Sequence, residues 1–289
     1  MKMHRRRAQV VLLGLLAIVA CVPASAETPG LRKQHLLDNV LRRAVRDGRV
    51  DYAALKADAE LGEYLTAMAG VSLEELRSER SRKAFWINVY NACVLKSIAD
   101  SYPVAEVKNV PGMFGEQRWT IAGQAYSLDQ MLNDVLRAFG DPLVHLALCN
   151  GARGAPKLRS RSYTAYDVDR QLDDAAREYL QDETHVKLNK ITQRLTVPLL
   201  FRLYPQDFEP KGVAAFVSRY FPEKREQVFV ANRRLTLEYA YFDWRVNALE
   251  EKPEPPAGQK PANAAKPKPG EQPPKGKVWS SRDGVWKDK

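Results

Sequence analysis

Residues 85–95, FWINVYNACVL, constrain this chain more than any other stretch. Nine of the eleven are apolar or aromatic, and the other two are Asn88 and Asn91. A helix that is apolar on every side is a buried one, so the segment predicts a central helix with the rest of the fold packed around it. Both amides then go inside with it. A buried amide that finds no partner costs roughly 1–3 kcal/mol. Asn88 and Asn91 therefore read either as clamps on a turn or strand end, or as polar groups that face a cleft and bind.

Apolar residues at helical spacing predict a helix over 33–46 and a second over 52–69. Ser72 followed by Glu75 predicts a capping box for a third helix. Downstream, RWTIAGQAY reads as a hairpin with Gly123 in its turn, followed by a helix over 127–138. LVHLALC (143–149) has period-2 character and reads as a strand entering a Gly-rich turn. Beyond it come a helix capped by Thr164, a hairpin in VKLN…RLTV, a short helix and turn in LFRLYPQDF, a helix over 211–220 and a strand in RLTLEYAYFDW. Helices dominate first, mixed structure follows, and no regular βαβ alternation occurs. The expected class is α+β: a single domain with a helical N-terminal half around the central helix and a small mixed sheet with hairpins.

Both ends read as something other than core. Arg5, Arg6 and Arg7 precede the apolar run VVLLGLLAIVA, and ASA closes at Ala26. That is the pattern of a secretory signal over residues 1–26. IVAC, ending at Cys21, also fits a lipobox, in which the cysteine would be lipidated and tether the protein to a membrane. Either reading takes the chain out of a bacterial cytoplasm, to the periplasm or the outer membrane. Residues 251–289 hold eight of the 18 prolines and eight lysines, a composition that cannot bury enough surface to fold alone and predicts a disordered tail. Trp279 and Trp286 near its end could serve as a docking handle.

These ends carry the charge. Of the net +10, the first 26 residues hold +4 and the tail's nine basic and five acidic residues another +4, leaving +2 for residues 27–250. A body so near neutrality has no electrostatic footprint for nucleic acid.

One stretch concentrates reactive residue types: HLALCNGARGAPKLR, residues 145–159. His145 and Cys149 are the candidate catalytic pair. A thiolate needs its base within hydrogen-bond reach, yet positions i and i+4 of a strand lie roughly 13 Å apart. Direct contact is therefore not expected if 143–149 is extended. Cys93, on an apolar helical stripe, is the other cysteine of the body, and export would permit a Cys93–Cys149 disulfide. Gly151, Arg153, Gly154 and Arg159, with Lys157 and Arg161, form a loop whose cations and backbone N–H groups suit a carboxylate or phosphate. No Cys/His spacing suggests a metal, and nothing calls for a cofactor.

DGRVDYAALK, KAFWINVYNA, YSLD, VHLAL, GARG, PKLR, VDRQLDDAAREYL, LYPQDF and YFDWRVN occur in an order that resembles the domain of unknown function 547 family, over about residues 32–248. The resemblance implies a recognisable domain rather than an activity, with bacterial members often exported. It also exposes departures. Typical members carry a Cys shortly before the turn and a second directly before Pro, where this chain has Cys149 or Asn150 and then Ala155. They carry a Glu-His pair where it has Leu132 and Asn133; Asn88, Asn91 and His145 are kept. The expectation is an exported cell-envelope binding or structural module with a degenerate family site and an unidentified small-molecule or envelope partner. A Cys/His-dependent hydrolase or acyl-transferase and a polyanion-binding protein are the alternatives.

Overall fold

A computed structural model describes residues 33–249, 277–280 and 285–288. The signal segment with Cys21 and most of the tail lie outside the described residues. Helix α1 (Gln34–Ala44) leads into a minimal hairpin, β1 (Val45–Arg46) and β2 (Arg49–Val50), turning at Asp47 and Gly48. The helix expected over 52–69 is two, α2 (Tyr52–Lys56) and α3 (Ala59–Ala69), because Asp58 caps α3 by accepting from the Glu60 N–H at 2.8 Å. The expected Ser72–Glu75 capping box is absent. Leu73–Glu75 is a single 3₁₀ turn without a side-chain cap.

The capping box belongs to Ser78 instead. Its Oγ accepts from the Ser81 N–H at 3.0 Å, while Ser81 Oγ accepts from the Ser78 N–H at 3.1 Å. This starts α4 (Glu79–Ser101), 23 residues long and buried on every side from Lys83 to Leu95. It is the central helix the sequence predicts. α1–α3 pack beside it, and Tyr102-Pro103 ends it.

β3 (Trp119–Ile121) and β4 (Gln124–Tyr126) form the expected hairpin. Ser127 then caps α5 (Leu128–Gln130), which widens into a π-turn, Met131–Leu136, tightens into 3₁₀ over Arg137–Phe139 and stops at Gly140. α6 (Val168–Leu180) follows the Gly-rich turn. β5 (Lys187–Asn189) and β6 (Arg194–Val197) pair antiparallel. After α7 (Leu200–Leu203), α8 (Gly212–Ser218) and α9 (Lys224–Asn232), β7 (Thr236–Tyr239) returns to pair parallel with β6, giving the order β5-β6-β7. The α+β class holds. α9 has no counterpart in the sequence reading. Within the tail, β8 (Lys277–Ser280) and β9 (Val285–Asp288) pair as a hairpin, where the composition predicted no structure.

Two apolar clusters make up the interior. The larger surrounds α4; the smaller lies among α6, β6, α7, α8 and α9 and includes Leu146, Phe201, Phe208 and Phe216. Leu143 packs against both. Residues 243–249 bind the N-terminal half to the Gly-rich turn: Val50 N–H donates to Asn247 O, Leu249 N–H to Val50 O, Asn247 N–H to Gly151 O, and Val107 N–H to Trp244 O, all at 2.8–3.0 Å. Buried Asn247 completes this seam. It accepts from Tyr52 Oη at 2.8 Å and donates to Gly48 O at 2.9 Å.

Candidate functional site

LVHLALC is not a strand. Asp141 caps a 3₁₀ turn, Pro142–Leu146, by accepting from the Leu143 N–H at 3.0 Å, with Pro142 in the first turn where its missing N–H costs nothing. Buried Lys83 holds the cap through Asp141 Oδ2 at 2.7 Å. No strand lies alongside; Asn91 plays that part. Its Nδ2 donates to Ala147 O at 3.0 Å, and its Oδ1 accepts from the Cys149 N–H at 2.9 Å. Asn88 grips Tyr163 in the same way, both bonds at 2.8 Å. Both amides are therefore clamps on backbone, and the crevice they share with Arg159 and Arg161 encloses about 10 Å³.

The turn after Cys149 is equally committed. Gly151 N–H points at Cys149 Sγ (3.4 Å), Ala152 N–H at Asn150 Oδ1 (3.0 Å), Arg153 N–H at Arg245 O (2.9 Å) and Gly154 N–H at Asp243 O (3.0 Å). These are the donors that an oxyanion or phosphate cradle would require, and each already has an acceptor. The cations divide as well. Arg153 and Lys157 line a polar groove of about 780 Å³, in which Asp47, Asp182 and Asp243 alternate with the basic residues. Lys157 there bonds Asp47 at 2.7 Å and Glu178 at 3.3 Å.

His145 and Cys149 do not meet. Cys93 and Cys149 are each free and buried, without the disulfide that export would permit. Cys149 Sγ faces Asn247 Nδ2 at 3.6 Å, and burial pushes its thiol up to about 11. His145 turns the other way, its Nε2 2.7 Å from Asp207 Oδ2. Arg137 holds the same carboxylate with both arms, Nε to Oδ2 at 2.6 Å and Nη2 to Oδ1 at 2.7 Å. The Tyr204 ring stacks on the imidazole, centroids 4.6 Å apart. Arg137 depresses the Asp207 carboxyl below its ordinary range. Burial outweighs that carboxylate's pull on His145, so the imidazole also sits below its ordinary value and is neutral at pH 7.

A linked pH effect follows. His145 and His185 both have folded values lowered by burial from 6.5, so below pH 6.5 the unfolded chain takes up protons that the folded chain refuses. Stability should be level between pH 7 and 8 and decline as pH falls through 6.5. A further loss is expected below 3.8, where Asp38, Asp182, Asp207 and Asp243 have lowered values. Urea midpoints from pH 8 to pH 3 check this, and a flat curve between 7 and 5 would contradict it.

His145 opens on a cleft of about 280 Å³ between the two apolar clusters, whose walls include Tyr90, Leu132, Leu148, Asn150, Ala155 and Tyr204. Leu132 comes from the π-turn, a distortion that recurs at functional sites. Leu132 and Ala155 are positions at which the sequence departs from the pattern it resembles, and the fold gathers them, with Asn150 beside Cys149, around the cleft at His145. Asn133, another such position, instead accepts from Arg137 Nη1 at 3.0 Å.

Residues 73–180 match the model of the family described as protein of unknown function, DUF547. The resemblance to DUF547 thus covers α4, the π-turn, His145, the Gly-rich turn and α6, and stops before Asp207. Comparison with curated proteins and with solved structures gives no match. Sequence reasoning missed Asp207, Arg137, Tyr204, Tyr90 and Asn247 as site residues. Asp207 and Asn247 stood inside quoted motifs, LYPQDF and YFDWRVN, but nothing local marked them, since their partners lie far away in the chain. Among the described residues no group of His, Cys, Asp and Glu is placed to hold a metal, and no helix is long and apolar enough to cross a membrane.

Proposed function

We propose that this is an exported cell-envelope protein whose body binds a small molecule in the cleft beside His145, and that Cys149 is a core residue. One observation carries the reading: the cleft presents Leu132 and Ala155 where the resembled pattern has reactive residues, while the Cys149 thiol faces Asn247 in the core. A cleft with an oriented imidazole and mostly apolar walls is suited to holding a molecule. Export rests on the basic-apolar-small pattern of the first 26 residues.

Alkylation of Cys149 against pH, in the signal-free protein carrying Cys93→Ser, tests it. The thiol is expected to react only after unfolding, as a buried cysteine in apolar surroundings does. Fast reaction of the folded protein with an apparent pKa below the free-thiol value of about 8.5 would reinstate the thiol-dependent hydrolase or acyl-transferase. So would a turnover that His145→Ala abolishes in a protein that still folds.

A further inference from the structure

Two polar groups in the cleft are left unanswered by the protein. The His145 Nε2–H is committed to Asp207, which fixes the tautomer and leaves Nδ1 as a lone-pair acceptor. Tyr90, on α4, is 4 % exposed and lines the same cleft, and its hydroxyl is held neutral by burial. Among the described residues neither His145 Nδ1 nor Tyr90 Oη has a hydrogen-bond partner, and both residues line the cleft. A polar group at the wall of a cleft is answered by water or by a ligand. Here one acceptor and one donor belong to residues of a common cleft whose other walls are mostly apolar, Asp129 and Asn150 apart.

We infer that the cleft takes a small molecule with an apolar body and an uncharged head that both donates and accepts, such as a primary amide or an alcohol. The head's N–H or O–H donates to His145 Nδ1, and its oxygen accepts from Tyr90 Oη. The body lies against Leu132, Leu148, Leu200 and the Tyr204 ring.

Charge argues against the ionic alternatives. Among the described residues lining the cleft there is no Lys or Arg, and the acid present is Asp129. A carboxylate would lose its hydration without meeting a cation. An ammonium head would meet Asp129, which already has a partner, and could not accept from Tyr90. The geometry of Arg137 and Asp207 thus has a purpose outside catalysis: it locks the imidazole in one orientation and one tautomer, so that the acceptor is in place before the ligand arrives.

This inference rests on the cleft-binding reading, and its test separates the two. Four probes share a phenylbutyl body: 4-phenylbutanamide, 4-phenylbutanoate, 4-phenylbutylammonium and butylbenzene. Each is titrated at pH 7.5 into the full chain labelled with ¹⁵N-histidine, following heat of binding and the His145 ring nitrogens. The amide should bind about tenfold more tightly than the other three, about the worth of one to two neutral hydrogen bonds, and should shift Nδ1 rather than Nε2. Tyr90→Phe should remove most of that advantage and leave butylbenzene unaffected. If butylbenzene matches the amide, or Tyr90→Phe changes nothing, the uncharged-head assignment is wrong while the cleft reading stands. Preference for the carboxylate or the ammonium overturns it in favour of a charged ligand. If none of the four binds, the cleft reading falls and takes this inference with it.

Discussion

Gly151→Ala should be among the most destabilising single substitutions in the protein, at about 2–5 kcal/mol. Two costs add at this position. Its φ of +83° lies in the left-handed region, which an alanine enters at a cost of about 1–2 kcal/mol. A Cβ would also stand 2.0 Å from Ile98 Cδ1 and 3.5 Å from Tyr52 Oη. Ile98 is fully buried on α4, so relief must come through the core, and overpacking of that kind costs about 1–3 kcal/mol. For a chain of this size the melting temperature should drop by about 4–20 °C. Gly123→Ala separates the two costs, because Gly123 has φ +77° in the β3–β4 turn with nothing within 4 Å of a Cβ. It should lose only the backbone part. Equal losses at the two positions would mean that Ile98 yields freely and that close packing of the turn on α4 is not what fixes Gly151.

The second glycine gives the turn its meaning. A Cβ at Gly154 would come within 2.7 Å of the Asp243 backbone nitrogen, where Gly154 N–H already donates to Asp243 O. The Gly151-x-x-Gly154 spacing looks like a phosphate loop because both kinds of turn need backbone to come close to something. Here the approach is to α4 on one side and to the 243–249 seam on the other. Sequence spacing reports that closeness is needed, and only the fold says with what.

The same division runs through the rest of the chain. The central helix was legible because an eleven-residue apolar run has few other ways to fold, and the β3–β4 hairpin because its turn carries Gly123; the small β1–β2 hairpin at Asp47-Gly48 reads in the sequence only as a helix end. The conformation of 143–149 was not legible. Its period-2 look came from a run in which Val144 through Cys149 are all buried, so alternation carried no information. Asp141-Pro142, a helix-start signal, decided the matter. The Asp207–His145 and Asp207–Arg137 pairs span 62 and 70 residues, and no local pattern announces a contact made at that range. The direction of the Cys149 side chain was likewise undetermined until Asn247 arrived beside it from the far end of the domain.

Asn91→Leu tests how the site is held in place. Leucine fits the apolar surroundings of α4 and is close in size, so the loss should come from hydrogen bonding alone. Ala147 O and the Cys149 N–H would be left in the core without partners, at roughly 1–3 kcal/mol each, giving an expected loss of about 2–6 kcal/mol in urea unfolding. Asn88→Leu strips Tyr163 of the same two bonds and should cost a similar amount. The two should differ in what they do to the site. Tyr163 lies beyond the Gly-rich turn, whereas Ala147–Cys149 continues directly from the 3₁₀ turn that carries His145. Asn91→Leu should therefore open the folded protein to Cys149 alkylation and alter the His145 ring resonances, while Asn88→Leu leaves both near wild type. A loss under about 1 kcal/mol at Asn91 would mean that water replaces the amide, so the segment would have to be held by its apolar contacts. If Asn88→Leu exposed Cys149 equally, the clamp would act on the domain as a whole, and Asn91 would lose its particular tie to the cleft.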